Sequence, residues 1–309
     1  MEIFLLLFFG LILLFVGGEL LVRGSSSLAI SIGLTPLVVG LTVVAFGTSS
    51  PELVVSIQAA LKGNSAISIG NVVGSNIANI ALILGLSAVI RPVTVQSTAV
   101  LREIPFMIFV SLIFSILVFF RHIAFLAGFF FVSLLILYII FSIYNSKKGA
   151  SQEMIEPIKT KYSILISVLF VILGLIGLVF GSDLFIEGSV KLARILGASE
   201  FLIGLTVVAV GTSLPELVTS IVASVKKESD ILVGNIVGSN IFNILAIIGI
   251  AAMITTINLS ETNMIDLLVM MFFSIIIFPM SILNKLISRR EGALLLIGYV
   301  VYIIYLVNS

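Results

Sequence analysis

The segment GLTVVAFGTSSPE, Gly40 to Glu52, recurs as GLTVVAVGTSLPE, Gly204 to Glu216, at an offset of 164 residues. From Gly40 to Ile57 and from Gly204 to Ile221, 15 of 18 positions are identical. At the same offset GNVVGSNIAN, Gly70–Asn79, matches GNIVGSNIFN, Gly234–Asn243, at 8 of 10 positions. Elsewhere the halves are much less alike, although Gly17-Gly18-Glu19 stands opposite Gly181-Ser182-Asp183. Selection for packing alone would not confine near-identity to two short polar-bearing segments per half. The chain therefore reads as two related halves that each bring one carboxylate to equivalent points.

The surroundings of those carboxylates give them weight. The 309 residues are 60% hydrophobic and 10% charged, with a mean hydropathy of +1.33. Soluble domains carry about 25% charged residues, so this composition is that of an integral membrane protein. A carboxylate within a membrane span is costly and is by default a candidate functional residue. Cysteine and tryptophan are absent and the one histidine, His122, lies beside Arg121 between apolar runs, as in a loop. Disulfides, thiolate sites and histidine relays are thereby excluded or left without parts. A net charge of +1 gives no footprint for nucleic acid. Nothing in the chain calls for a cofactor or a protein partner, and its surroundings are the lipid bilayer.

About twenty apolar residues cross a bilayer as a helix. The expected spans are 3–22, 35–61, 65–90, 103–120, 123–144, 163–184, 201–225, 230–256, 264–283 and 292–307. The first opens Met1-Glu2 without a basic start, so a retained helix is expected rather than a cleaved signal. The predicted fold is all-α, with ten transmembrane helices: a five-helix repeat over 1–144, a polar linker over 145–162 and a second repeat over 163–309. With the linker placed in the cytoplasm, that side receives twelve of the sixteen Lys and Arg residues. The positive-inside rule thus expects a multi-pass protein of the cell membrane with a cytoplasmic linker and both termini outside. Five is odd, so the second repeat enters from the opposite face. Inverted repeats are an architecture of secondary transporters, with the site near the midplane where the halves meet.

The motif chemistry fits such a site. Pro51 has no N–H and clashes with the carbonyl four residues back, on Gly47; Pro215 and Gly211 repeat the arrangement. Each helix is expected to break there, freeing carbonyls around Ala45–Thr48 and Ala209–Thr212. Such carbonyls are tolerated at membrane depth only where they line a cavity or are buried in protein. Together with the hydroxyls of Thr48 and Ser49 and the carboxylate of Glu52 they form an all-oxygen set, which suits hard cations such as Ca2+ and Na+. Asn71, Ser75 and Asn79 follow at i, i+4 and i+8 on one helix face, as do Asn235, Ser239 and Asn243. Asn76 and Asn240 lie about 100° off those stripes, where helix–helix hydrogen bonds are expected.

GTSSPE and GTSLPE, each followed by GNxVGSNxxN, resemble the two signature repeats of the sodium/calcium exchangers in the cation/calcium antiporter superfamily, of the prokaryotic type without a large regulatory loop. The likeness extends over nearly the whole chain, and the paired motifs are highly specific. The resemblance implies an antiporter, not an enzyme, with Ca2+ and Na+ as its transported substrates. It implies that Glu52 and Glu216 coordinate Ca2+ together with the carbonyls of Thr48 and Thr212. It implies sodium sites formed from Ser49, Ser75, Asn79, Ser213, Ser239, Asn243 and the Ala45 and Ala209 carbonyls, sharing Glu52, Glu216 and Thr212. It also implies sliding of the first and sixth spans, and an exchange of three Na+ for one Ca2+ that moves net charge. Members that also carry potassium often have Asp at the positions of Asn79 and Asn243, so potassium coupling is not expected here.

Other readings compete. An H+/Ca2+ antiporter of the same superfamily would alternate protons with Ca2+ on the two glutamates, but the hydroxyl-rich GTSxPE leans toward sodium. A channel usually presents a ring of ligands by oligomerisation, whereas one chain here supplies a paired site. An intramembrane enzyme would want His or Cys ligands that the spans lack. The motif glycines are read as packing residues, Gln58 as structural, and Glu19 and Asp183 as groups near span ends that reach toward solvent.

Overall fold

The computed structural model describes residues 2–63, 65–119, 122–153, 162–195, 209–258 and 264–308. These residues are almost wholly helical. In the first half α1 runs Glu2–Ile32, α2 Pro36–Thr48, α3 Ser50–Leu61, α4 65–90, α5 99–119 and α6 Phe125–Glu153. In the second half α7 runs Ile164–Ile195, α8 Ala209–Thr212, α9 Leu214–Lys226, α10 Ser229–Ile254, α11 Met264–Asn284 and α12 Arg289–Asn308. Among the described residues eight of these helices are long and apolar enough to cross a membrane, and α2 with α3, bent by 49°, makes up to nine. The expected span 201–225 is described only from Ala209, and Gly204 and its neighbours lie outside the described residues.

Burial sorts the helices into a centre and a shell. In α4 and α10 the apolar windows are 72% and 89% buried, against 17–39% for the other six. These two carry the GNxVGSNxxN stripes, so the most polar spans are the ones shielded from lipid. The shell helices turn large side chains outward, among them Phe4, Phe8, Leu126, Leu165 and Leu268. That is the order of polarity a hydrocarbon solvent demands, because unsatisfied polar groups in lipid are expensive.

Two helices outrun their expected limits. The reading 3–22 becomes 31 residues in α1, and 163–184 becomes 32 in α7. Hydropathy misses the extra turns because they carry Arg23, Ser25–Ser27, Glu187 and Lys191. The two helices pack along each other through small residues: a Cβ on Gly17 would lie 2.7 Å from the backbone nitrogen of Leu178, and one on Gly174 2.6 Å from that of Leu21. Backbones that close admit no larger side chain. Helix α6 also runs on to Glu153, so the polar stretch assigned to the linker begins as helix, while 154–161 lie outside the described residues.

Four two-residue strands tie the halves together. Strand β1 (Val93–Thr94) pairs antiparallel with β4 (Leu286–Ile287), and β2 (His122–Ile123) with β3 (Ile257–Asn258). Val93 faces Ile287 and Ile257 faces Ile123, so adding or subtracting 164 converts one pair into the other.

Candidate functional site

The centre of the molecule is where the two breaks meet the two stripes. The first break falls at Ser49, between α2 and α3, and the second at Ser213, between α8 and α9. Each is one residue wide and is followed by Pro at the start of the next helix, where a missing N–H is harmless. Pro51 cannot supply the ladder bond to the Gly47 carbonyl, as expected. The Ala45 carbonyl is less free than expected: it accepts from the Ser49 N–H at 3.0 Å and from Thr48 Oγ1 at 3.4 Å, leaving little beyond an off-axis lone pair.

The carboxylates sit just past the breaks. Glu52 and Glu216 are each 1% exposed. Each is held by the serine of the opposite half: Ser49 Oγ donates to Glu216 Oε1 at 2.8 Å, and Ser213 Oγ to Glu52 Oε1 at 3.2 Å. Ser213 Oγ also lies 3.4 Å from Ser75 Oγ, which brings the α4 stripe into the cluster. Among the described residues no third acidic, His or Cys side chain joins a group that could hold a metal, so the fixed charge cannot exceed that of two carboxylates.

Behind the carboxylates the asparagines form a closed bridge. Asn79 Nδ2 donates to Asn240 Oδ1 and Asn243 Nδ2 to Asn76 Oδ1, both at 3.0 Å. Asn76 Nδ2 and Asn240 Nδ2 each reach the other's main-chain carbonyl at 3.4 Å. The expected helix–helix role of Asn76 and Asn240 is therefore met. The bridge uses the amide nitrogens of Asn79 and Asn243 and leaves their oxygens unused. Asn79 and Asn243 also stand where α4 and α10 widen into π-helical turns, at Ala78–Leu84 and Asn243–Ile248, a distortion that recurs at functional sites.

Five buried oxygens here make no hydrogen bond of normal geometry: Glu52 Oε2, Glu216 Oε2, Asn79 Oδ1, Asn243 Oδ1 and Ser239 Oγ, the last standing beside the Glu216 carboxylate. Leaving a buried polar atom unbonded costs about 1–3 kcal/mol, more if charged, so a cluster of five is not a packing accident. Four of them can only accept, and what acceptors with no donor await is a cation. Of the sequence-predicted residues, the structure gathers Ser49, Glu52, Ser75, Asn79, Ser213, Glu216, Ser239 and Asn243 as side chains in this buried region. Thr48 is buried and its hydroxyl lies 3.1 Å from Asn235 Oδ1, while Thr212 is half-buried. Ala209 opens α8, and nothing beyond its backbone is described.

Sequence reasoning missed the braces. Asn71 Nδ2 donates to Ser56 Oγ at 2.8 Å and to the Glu52 carbonyl at 3.1 Å; Asn235 Nδ2 donates to Ser220 Oγ at 3.2 Å. The first residue of each stripe thus clamps a Glu-bearing helix rather than facing a ligand. The signal was present, since Ser56 and Ser220 are both repeated at the offset.

Among the described residues the two glycine pairs beside the cluster are unequally covered. Gly234 and Gly238 are buried, and a Cβ on Gly234 would lie 2.5 Å from the Leu37 carbonyl and 2.9 Å from Gly40 Cα. Their counterparts Gly70 and Gly74 are exposed and half-exposed. Helix α2 therefore seals the path along α10, while the segment equivalent to α2 that would lie along α4 is outside the described residues up to 208.

A buried oxygen cluster shared by two halves of a membrane protein has the chemistry that a cation transporter's site requires. The sodium/calcium exchanger protein family is matched over residues 2–144 and 166–308, and the chain belongs to that family. It is 32% identical to the sodium/calcium exchanger MaX1 of Methanosarcina acetivorans, over 98% of each chain. It is 34% identical to the inner membrane protein YrbG of Escherichia coli, over 96% of this chain and 94% of that one. Its fold superposes on a solved structure of the sodium-calcium exchanger NCX_Mj soaked with 10 mM Na+ and zero Ca2+, with a TM-score of 0.86, 31% identity and 98% of each chain covered. The protein is thus a multi-pass cation/calcium antiporter, not an enzyme.

Proposed function

We propose that the protein exchanges Na+ for Ca2+ by alternating access, three Na+ for one Ca2+ with net charge moved in each cycle. The five buried oxygens without a normal hydrogen bond carry this reading. Glu52 and Glu216, with the carbonyls of Thr48 and Thr212, hold Ca2+. The same carboxylates and Thr212, with Ser49, Ser75, Asn79, Ser213, Ser239, Asn243 and the Ala45 and Ala209 carbonyls, hold Na+. Two ionised glutamates carry about −2, so one Ca2+ or two Na+ neutralise them and a third Na+ leaves +1. Simultaneous occupancy by both ions is opposed by repulsion at short range in a low-dielectric cage. That competition is the basis of exchange.

The proposed architecture is two inverted five-helix repeats, ten spans in all, with both termini outside and the linker in the cytoplasm. It is supported by the strand, serine and asparagine pairs that interconvert at the offset of 164. The packing of α1 on α9, without a comparable packing of α7 on α3 among the described residues, is what one of two alternating states presents.

The test is Ca2+ uptake into proteoliposomes under an outward Na+ gradient, compared with an outward H+ gradient at clamped potential. Uptake is expected with sodium, and an inside-positive potential is expected to drive it further, at about 2.3 kcal/mol per charge per 100 mV. Uptake driven by the proton gradient alone would make the protein an H+/Ca2+ antiporter instead.

A further inference from the structure

The ends of α1 and α9 are joined in a way that their counterparts α7 and α3 are not. Glu19 on α1 accepts from Lys226 Nζ, at the end of α9, at 2.6 Å, and also pairs with Arg23 one turn on. Above this contact α1 lies along α9: a Cβ on Gly18 would meet Val218 at 3.1 Å and Val222 at 3.3 Å. The equivalents of Glu19, Val218, Val222 and Lys226, 164 positions away, are Asp183, Val54, Gln58 and Lys62. Val222 is 5% exposed in its docked position, but Val54 is 53% exposed, and Gln58, Lys62 and Asp183 are exposed too. Helix α7 makes no packing against α3 comparable to that of α1 on α9. Neither Asp183 nor Lys62 has an ion pair or hydrogen bond among the described residues, while the neighbouring Glu187 is held by Lys191 at 2.7 Å. The side on which α7 stands off α3 is also the side on which Gly70 is exposed.

We propose that Glu19–Lys226 and Asp183–Lys62 are twin latches, closed in alternation, that dock α1 on α9 in one state and α7 on α3 in the other. This rests on the alternating-access reading above. If the halves exchange conformations, the bare face Val54–Gln58–Lys62 receives α7 as Val218–Val222–Lys226 receives α1 here. The four charged residues are positioning residues: they touch no transported ion and set which side is open. Gln58, which has no role in the ion cluster, becomes part of that docking face.

The chain has no cysteine, so paired cysteines report each latch cleanly. In E19C/K226C and D183C/K62C exchangers reconstituted in vesicles, a short bifunctional thiol reagent is expected to join either pair and stop Ca2+ flux. The first cross-link should hold a reporter cysteine at Val54 accessible, and the second should bury it. Lys226→Gln and Lys62→Gln should shift the half-saturating Ca2+ on the Gly70 side in opposite directions, by about two- to five-fold each, as for the loss of a part-exposed ion pair. The charge swap K62D/D183K should return that value to the parent's. A purely structural role would give shifts of the same sign. The proposal is overturned if cysteines at 62 and 183 never join in protein whose 19/226 pair does, or if both glutamine variants shift the same way. Alternate cross-linking without any Na+-driven flux in the parent would uphold the latches and remove the exchange reading.

Discussion

Gly234→Ala is the sharpest perturbation of the sealed approach. A Cβ at that position would stand 2.5 Å from the Leu37 carbonyl, 2.9 Å from Gly40 Cα and 2.9 Å from the Leu41 nitrogen. All three are backbone atoms, so no rotamer change relieves the contact and α2 must move away from α10. Overpacking of this kind costs about 1–3 kcal/mol. At 1.36 kcal/mol per factor of ten, the sealed state then loses roughly 5- to 150-fold in population relative to states in which α2 has swung out. Leu41 is 5% exposed against this seam, so a cysteine at Leu41 in the cysteine-free chain reports the opening. Its labelling by a membrane-impermeant maleimide, added from the α2 side, should accelerate by a factor within that range. Gly70→Ala is the paired control, because a Cβ there meets nothing within 4 Å among the described residues; it should leave the labelling rate unchanged or lower it. Equal acceleration by both variants, or none by Gly234→Ala, would refute the argument that backbone contact at Gly234 seals this route.

Glu52→Gln and Glu216→Gln should each abolish Ca2+ flux while the protein still purifies as a folded monodisperse species; normal flux in either removes its carboxylate from the site. Asn79→Asp puts a third carboxylate where the amide oxygen has no donor, and should change the half-saturating Na+ and Ca2+ more than the melting temperature. Asn240→Leu removes the acceptor of Asn79 Nδ2 and strands buried polar groups, so a loss of about 1–3 kcal/mol in thermal or denaturant unfolding is expected together with weaker Na+ competition. Tyr138→Phe deletes the only hydroxyl donor to the buried Glu103 among the described residues; it should lower the melting temperature and leave ion half-saturation unchanged, which a detergent-solution melt and a flux assay check together.

The oxygen cluster was legible because duplication marks it: Glu52 and Glu216, the prolines after the breaks, and the Ser and Asn stripes all recur at one offset. Periodicity then separated Asn76 and Asn240 from the stripe, and they do form the bridge between halves. What periodicity cannot tell is which stripe residue faces inward at a given turn. Asn71 and Asn235 share a face with Asn79 and Asn243, yet they clamp Ser56 and Ser220 because the Glu-bearing helices pass over that turn. The cross-half reach of Ser49 and Ser213 was equally hidden, since each serine groups in sequence with the carboxylate of its own half. Hydropathy misjudged α1 and α7 because their last turns carry charged and hydroxyl side chains, while the glycine seam keeps the two helices packed along each other. Strands of two residues, such as Val93–Thr94, are too short to leave a pattern. Glu103 was assigned to the edge of a span and is instead 3% exposed under Tyr138, because α5 starts four residues earlier than expected with a π-helical turn.

The central claim is that one cage serves both ions in turn, and equilibrium binding of radiolabelled Ca2+ to the purified protein tests it most directly. A single Ca2+ per chain should bind, be displaced by Na+ with a steep, more than first-order dependence, and be lost in Glu52→Gln and Glu216→Gln alike. Retention of Ca2+ at saturating Na+, or undiminished binding in either glutamine variant, would contradict the account.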